Sequence, residues 1–269
     1  MPLFRRRVRC LLLGAVVLAS AYALLAYVVM PLAWSHYEHQ TRLQNLPMVT
    51  RTAQDIPGDP LNIGLVGAKE DIAFAMQAAG WSPADKLTWR SSIAIVGSVI
   101  LDRGYKDAPV SPLFLAGRPE DLAYEKEDGA SADRRHHVRL WQVLATGAEA
   151  RPVWLGAATF DTGVGLSRYT GQFTHHIAAD IDAERDDLGA DLVKAGMVTT
   201  TYQVSGIGPT LFGRNGGGDR YYTDGEVHVM VLTARGAVNP KPPAELPDPP
   251  IVALKDGLWR SAREATGLD

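Results

Sequence analysis

One stretch limits what this chain can be before any other is read. Cys10 to Trp34 runs for 25 residues without a charged side chain. Coiled as a helix at ~1.5 Å per residue it spans ~37 Å, enough to cross a hydrocarbon core of ~30 Å. Arg5, Arg6, Arg7 and Arg9 precede it, and on the far side only Arg42 lies close. The positive-inside rule then makes the N-terminus cytoplasmic and carries the bulk of the chain across the membrane. Tyr22, Tyr27 and Trp34 are amphipathic rings of the kind that settle at bilayer interfaces. A cleaved signal peptide is the competing reading, because Ala21-Tyr22-Ala23 has the small-x-small form of a cleavage site. The apolar run continues for eleven residues past Ala23, however, which is too long for a signal-peptide core. The expectation is an uncleaved single-pass anchor in a cell inner membrane, with the main domain on the periplasmic side.

Charge and cysteine use narrow the rest. Without the four N-terminal arginines, 23 basic side chains face 30 acidic ones. That balance repels a phosphate backbone, so a nucleic-acid partner is not expected. Cys10 is the only cysteine and lies inside the apolar run. This excludes an intramolecular disulfide, and it excludes a cysteine-rich zinc site or a thiol nucleophile beyond the anchor.

Five segments follow in order: a basic cytoplasmic tail over 1–9, the anchor over 10–34, a polar connector over 35–60, one mixed domain over 61–237, and a proline-rich arm with a short terminal helix over 238–269. In the domain, Leu61 to Gly67 predicts a strand. Lys69 to Trp81 predicts a helix, with Ile72, Ala75, Met76 and Ala79 at helical spacing and Gly80 as its stop. Leu87 to Leu101 predicts a second helix, and Leu113 to Ala116 and Leu122 to Glu125 short strands. Arg135 to Leu144, Val153 to Phe160 and Gln172 to Ile177 read as strands, with Asp161 to Gly165 turning out of the second. Asp182 to Ala195 reads as a helix stopped by Gly196, and Met197 to Ser205 as a strand. Gly213 to Asp219 reads as a hairpin connection. Tyr221-Tyr222 and Val227 to Leu232 are expected to form a last hairpin about Asp224-Gly225. Together these make an α+β domain with a largely antiparallel sheet.

The segments RRHHVRLW (134–141), WLGAATFDTGVG (154–165), THHIAADIDAERDDL (174–188) and YYTDG (221–225) as a set resemble the domain named for the C-terminus of LssY. The resemblance covers roughly Leu61 to Thr233. That domain occurs in bacterial envelope proteins, sometimes fused to membrane-spanning phosphatase modules. The resemblance implies membrane association and carries over no activity, substrate or catalytic residue.

The chemistry-bearing residues concentrate in the same stretch. Side chains alternate faces along a strand. In RRHHVRLW, His136 shares a face with Val138 and Leu140, while His137 shares the other with Arg135, Arg139 and Trp141. In FTHHIA, His175 sides with Phe173 and Ile177, and His176 with Thr174. His136 and His175 therefore read as packed residues of the sheet. His137 and His176 are expected to converge on a polar face beside Asp161 as the catalytic set, with Arg135, Arg139 and Trp141 binding ligand. Such a cluster suits a divalent metal, although no H-E-x-x-H motif is present, or an anion held by the arginine fork. The metal and the anion remain alternatives.

Other motifs are set aside on spacing. The acidic run from Asp180 has Arg185 where a calcium loop needs glycine, and it reads instead as a helix N-terminus capped by Asp180 or Asp182. GRNGGGD (213–219) lacks the Lys-Ser/Thr of a phosphate loop. Ser167-Arg168 with His175 and Asp180 misses the spacing of membrane lipid phosphatases, and no Gly-x-Ser-x-Gly elbow is present. The functional expectation is a membrane-anchored envelope domain that binds, and could hydrolyse, an anionic, phosphate-bearing component such as a small molecule or lipid headgroup. The alternative is a non-catalytic structural or assembly module whose histidines are internal hydrogen-bonding residues. A protein partner cannot be named from these residues.

Overall fold

In the computed structural model the described residues are 2–30, 32, 39–43, 46–84, 112–129, 134–171, 173–204 and 212–247, with scattered positions from 254 to 265. The expected helix over Leu87 to Leu101 lies outside them, as does most of the terminal helix expected over Ile251 to Ala265. Contacts divide the chain into two units, Met1–Thr41 with Asp248–Asp269, and Arg42–Pro247.

In the first unit, helix α1 (Pro2–Leu24) runs on into a π-helical turn over Leu25–Val29. Arg6–Val29 is long and apolar enough to cross a membrane, and no protein covers its apolar core. A helix of that length and composition fits a single-pass membrane protein, whose bilayer supplies the nonpolar surroundings. The arginines expected in a separate tail are part of the helix. Pro2 opens it, at a position where a missing N–H costs nothing.

The second unit is built on fifteen strands and two α-helices among the described residues. β1 (Val49–Arg51), β2 (Pro57–Pro60), β5 (Phe114–Leu115) and β6 (Arg118–Pro119) form a small sheet in the order β2-β1-β5-β6. β12 (Phe212–Arg214) and β13 (Arg220–Tyr222) form a hairpin. The main sheet takes β3 (Ile63–Val66), β4 (Ser82–Pro83), β7 (Leu122–Glu127), β8 (Arg135–Leu144), β9 (Val153–Leu166), β11 (Val198–Val204), β14 (Val227–Leu232) and β15 (Ala244–Glu245), with β10 (Phe173–Ile177) paired to β9. Its order is β15-β11-β14-β3-β9-β8-β7-β4, and every pairing is antiparallel except β14 with β3 and β11 with β15. The layout is α+β, with a mostly antiparallel sheet.

Both faces of this sheet are covered, which is why its central strands are almost continuously apolar. Helices α2 (Lys69–Ala78) and α3 (Ile181–Lys194) contribute Ile72, Met76, Leu188 and Leu192 to one core, which they share with Ile63, Leu65, Val138, Leu140, Trp154 and Met230. On the opposite face Leu43, Leu61, Val66, Trp141, Val153, Leu155, Tyr202, Val227 and Val229 form a second core. Gly156 lets β8 and β9 close up between the two. A Cβ there would lie 2.7 Å from Leu140 Cδ2 and 2.9 Å from the Arg139 carbonyl oxygen. Asn62, fully buried, donates to the carbonyls of Ala158 (3.0 Å) and Ile181 (2.7 Å) and accepts from Ala158 N (2.9 Å), tying the start of α3 to β9. Asp180 caps α3, accepting from Ala183 N at 3.1 Å.

Three sequence expectations change. The folded unit reaches back to Arg42 and forward to Pro247, because β1 and β2 arise in the expected connector and β15 in the expected arm. The Asp161-to-Gly165 segment does not turn: β9 runs through it, since β10 pairs along it. Val227 to Leu232 makes no hairpin with Tyr221-Tyr222, because β14 pairs with β11 and β3 while β13 pairs with β12.

Candidate functional site

Strand alternation on β8 turns His137, Arg139 and Trp141 toward the face away from the helices. In register, His137 lies opposite Thr159 of β9, and Arg135 lies opposite Asp161. His137 is buried at 4% exposure between two carboxylates. Its Nδ1 lies 2.8 Å from Asp161 Oδ2, and its Nε2 lies 3.2 Å from Glu125 Oε2, which also accepts from Arg135 at 3.1 Å. With both acids ionised, both ring nitrogens donate, and the ring is an imidazolium. Burial pulls its pKa down, but the two carboxylates outweigh that and raise it.

Asp161 serves a second imidazole. His175 Nδ1 lies 2.8 Å from the same Oδ2, and the two ring centroids stand 6.3 Å apart. Burial alone would raise Asp161, yet the two histidines hold it well below the usual carboxylate range. Its 2.8 Å contact orients the His175 ring from one side and makes no hydrogen bond to Nε2.

These groups line a cavity of about 330 Å³. Asp59 of β2 enters it at 3.3 Å from Arg139, and Asn215 Nδ2 donates to the other Asp59 oxygen at 3.2 Å. Asn215 in turn holds its own loop, accepting from Gly217 N (3.1 Å) and Asp219 N (2.9 Å). Burial raises Asp59 against the opposing pull of Arg139 and Asn215. Ser167, Thr170 and Thr174 add hydroxyls to the wall. The cavity therefore offers guanidinium, imidazole, hydroxyl and amide groups to a polar ligand, beside the carboxylates of Asp59 and Asp161.

Of the residues chosen from sequence, the fold brings His137, Asp161 and Arg139 together at this cavity. Arg135 stands behind it, held on Glu125. Trp141 is fully buried in the second core and donates to Arg118 O at 3.2 Å, so it has no surface to offer a ligand. His176 does not join His137; its Nδ1 pairs with Asp219 at 2.8 Å. His175, expected to be a packed residue, stands in its place. The cause is a slip in the ladder: His176 pairs with Gly163 but Ile177 pairs with Asp161, which leaves Thr162 as an extra residue on β9. One such residue exchanges the faces beyond it. Asp59 and Asn215 were missed because they come from a presumed connector and a presumed hairpin loop; no sequence signal marks them.

A divalent metal finds no three-atom ligand set at this cavity among the described residues. Three ligand atoms within 4.8 Å of one another occur instead at His136, Glu184 and Asp187, and at Asp224, Glu226 and His228. The second group already holds a cation, since Arg185 NH1 lies 3.1 Å from both Asp224 oxygens.

The family model described as LssY C-terminus matches residues 43–227. The chain belongs to that family. Within the LssY C-terminus domain the match takes in β1 and β2, and with β2 it takes in Asp59, so the small sheet is part of the family unit. No curated protein and no solved structure matches the chain. The family membership and the apolar N-terminal helix fit a membrane-anchored LssY-like domain.

Proposed function

We propose that this membrane-tethered domain binds an anionic, phosphate-bearing component of the cell envelope in the cavity between β8, β9 and β10, and hydrolyses it with His175 as the acid–base group. The observation that carries this reading is the shared carboxylate. Asp161 Oδ2 anchors His137 on the buried side and His175 on the cavity side, and His175 Nδ1 is the nitrogen it takes. A carboxylate behind an imidazole sets its tautomer and supports the proton it takes up. Arg139, on the same wall, carries a guanidinium whose fork suits phosphate oxygens once it exchanges its 3.3 Å contact with Asp59 for the ligand. The arginines at the start of the N-terminal helix, ahead of its apolar run, favour an inner-membrane placement with the domain on the outer side.

The test is phosphate-ester binding and turnover by the full-length chain in detergent, across a panel of phosphomonoesters and phosphodiesters. Hydrolysis lost in His175→Ala but retaining substrate binding supports the reading. A wild-type chain that neither binds nor turns over any member of the panel ends it. A structural or assembly module is the second reading, favoured by one observation: both nitrogens of His137 are taken by carboxylates, which leaves that ring nothing to offer a ligand.

A further inference from the structure

On the helix side of β8, one residue from the cavity histidine, His136 Nδ1 lies 2.7 Å from Glu184 Oε2 of α3. Glu184 is 3% exposed, and its other oxygen, Oε1, is buried without a hydrogen-bond partner. An ionisable group at that depth with an unused oxygen needs an explanation. Asp187, three residues on and therefore one helical turn away on the same face, is exposed and brings a second carboxylate to the pair. Ligand atoms of His136, Glu184 and Asp187 lie within 4.8 Å of one another. Lys126, opposite His136 in the ladder, does not fill the gap, because it is committed to Asp191 at 2.6 Å. Phe160 and Trp81 wall the imidazole, with ring centroids 4.9 and 6.0 Å away.

We propose that His136, Glu184 and Asp187 form a binding site for a divalent ion of the zinc type, which clamps α3 to the sheet. One imidazole and two carboxylates are a hard-to-borderline donor set that suits zinc or manganese, with a fourth position open to water beside exposed Asp187. Tetrahedral arms of ~2.0–2.1 Å put neighbouring ligand atoms about 3.3 Å apart, so the observed spread closes by small side-chain rotations. The unused Glu184 oxygen then has a role that no protein group supplies. The ion sits on the face opposite the proposed hydrolytic cavity, so the two proposals stand or fall separately.

The experiment uses untagged full-length protein in detergent, stripped with chelator and titrated with Zn²⁺ or Mn²⁺ under buffered free-metal conditions. Stoichiometry and thermal midpoint are read together. One ion per chain and a midpoint that rises with free metal are expected. Asp187→Asn, at an exposed position that leaves folding intact, should weaken affinity at least tenfold. His136→Ala should abolish binding, and His175→Ala should leave it unchanged. A wild-type chain that retains no ion overturns the proposal, as does Asp187→Asn binding like wild type, or loss of the ion in His175→Ala.

Discussion

Two neighbouring imidazoles on β8 meet two buried carboxylates on opposite faces of one sheet, and the carboxylates end up in opposite electrostatic states. On the cavity face Asp161, 2% exposed, answers to His137 and His175 and is driven below its ordinary range. On the helix face Glu184, 3% exposed, is raised by burial, which its single partner His136 does not offset. Depth is nearly the same in both, so burial cannot separate them. The charged partners do: two rings overcome the desolvation of one carboxylate, whereas one ring opposed by the carboxylate of Asp187 does not. A carboxylate held ionised can anchor a proton-handling histidine, whereas one held toward neutrality waits for a cation.

Neutralising each acid is the largest way to break this contrast. Asp161→Asn should destabilise the domain by about 3 kcal/mol, because it takes the shared anionic acceptor from two imidazoles and leaves buried His137 with Glu125 alone. Glu184→Gln should cost only about 1 kcal/mol, the scale of one hydrogen bond. Equal costs in equilibrium denaturation of the full-length chain would erase the distinction.

The pH dependence sharpens it. Asp161, lowered from 3.8, contributes stability that is present above that value and is lost as pH falls toward its folded pKa. His137, raised from 6.5, contributes stability that is full below 6.5 and is lost as pH climbs through its folded value. Glu184, raised from 4.5, subtracts stability as pH rises past 4.5. The urea midpoint should therefore peak between pH 4 and 6.5 and fall toward both pH 3 and pH 8; a maximum at pH 8 would contradict the assignment of charge.

A smaller effect separates function from folding on the cavity face. His175→Ala should weaken phosphate-ester binding by no more than about tenfold, or 1.4 kcal/mol, and cost about 1 kcal/mol in stability, while abolishing turnover. Smallest on the helix face, Asp180→Ala should remove the cap of α3 for about 1 kcal/mol without touching either histidine pair, as read by thermal unfolding.

Much of this contrast was legible before any coordinates. The period of two along RRHHVRLW put His136 with Val138 and Leu140 and put His137 with Arg139, and both pairings stand in the two cores and the cavity. Helix α2 and its stop at Gly80, where φ is +83°, followed from spacing and from the one residue that tolerates that conformation. What could not be read was which face of β10 meets the site. His175 alternates with apolar Phe173 and Ile177, and Ile177 lines the cavity rather than a core. Asp59 reaches the site only because β1, β2 and β5 fold into a second sheet, a long-range pairing that leaves no local signature in Pro57 to Pro60.

The unpaired Thr162 makes the identity of the reactive ring a matter of counting rather than chemistry. His175 and His176 are the same residue type one peptide apart, and whichever has the right parity reaches Asp161. Adding a single residue between His176 and Ile177 would give Thr162 a partner and bring His176 onto the face of the same acid, so the hairpin stores a spare imidazole that an insertion could bring into service.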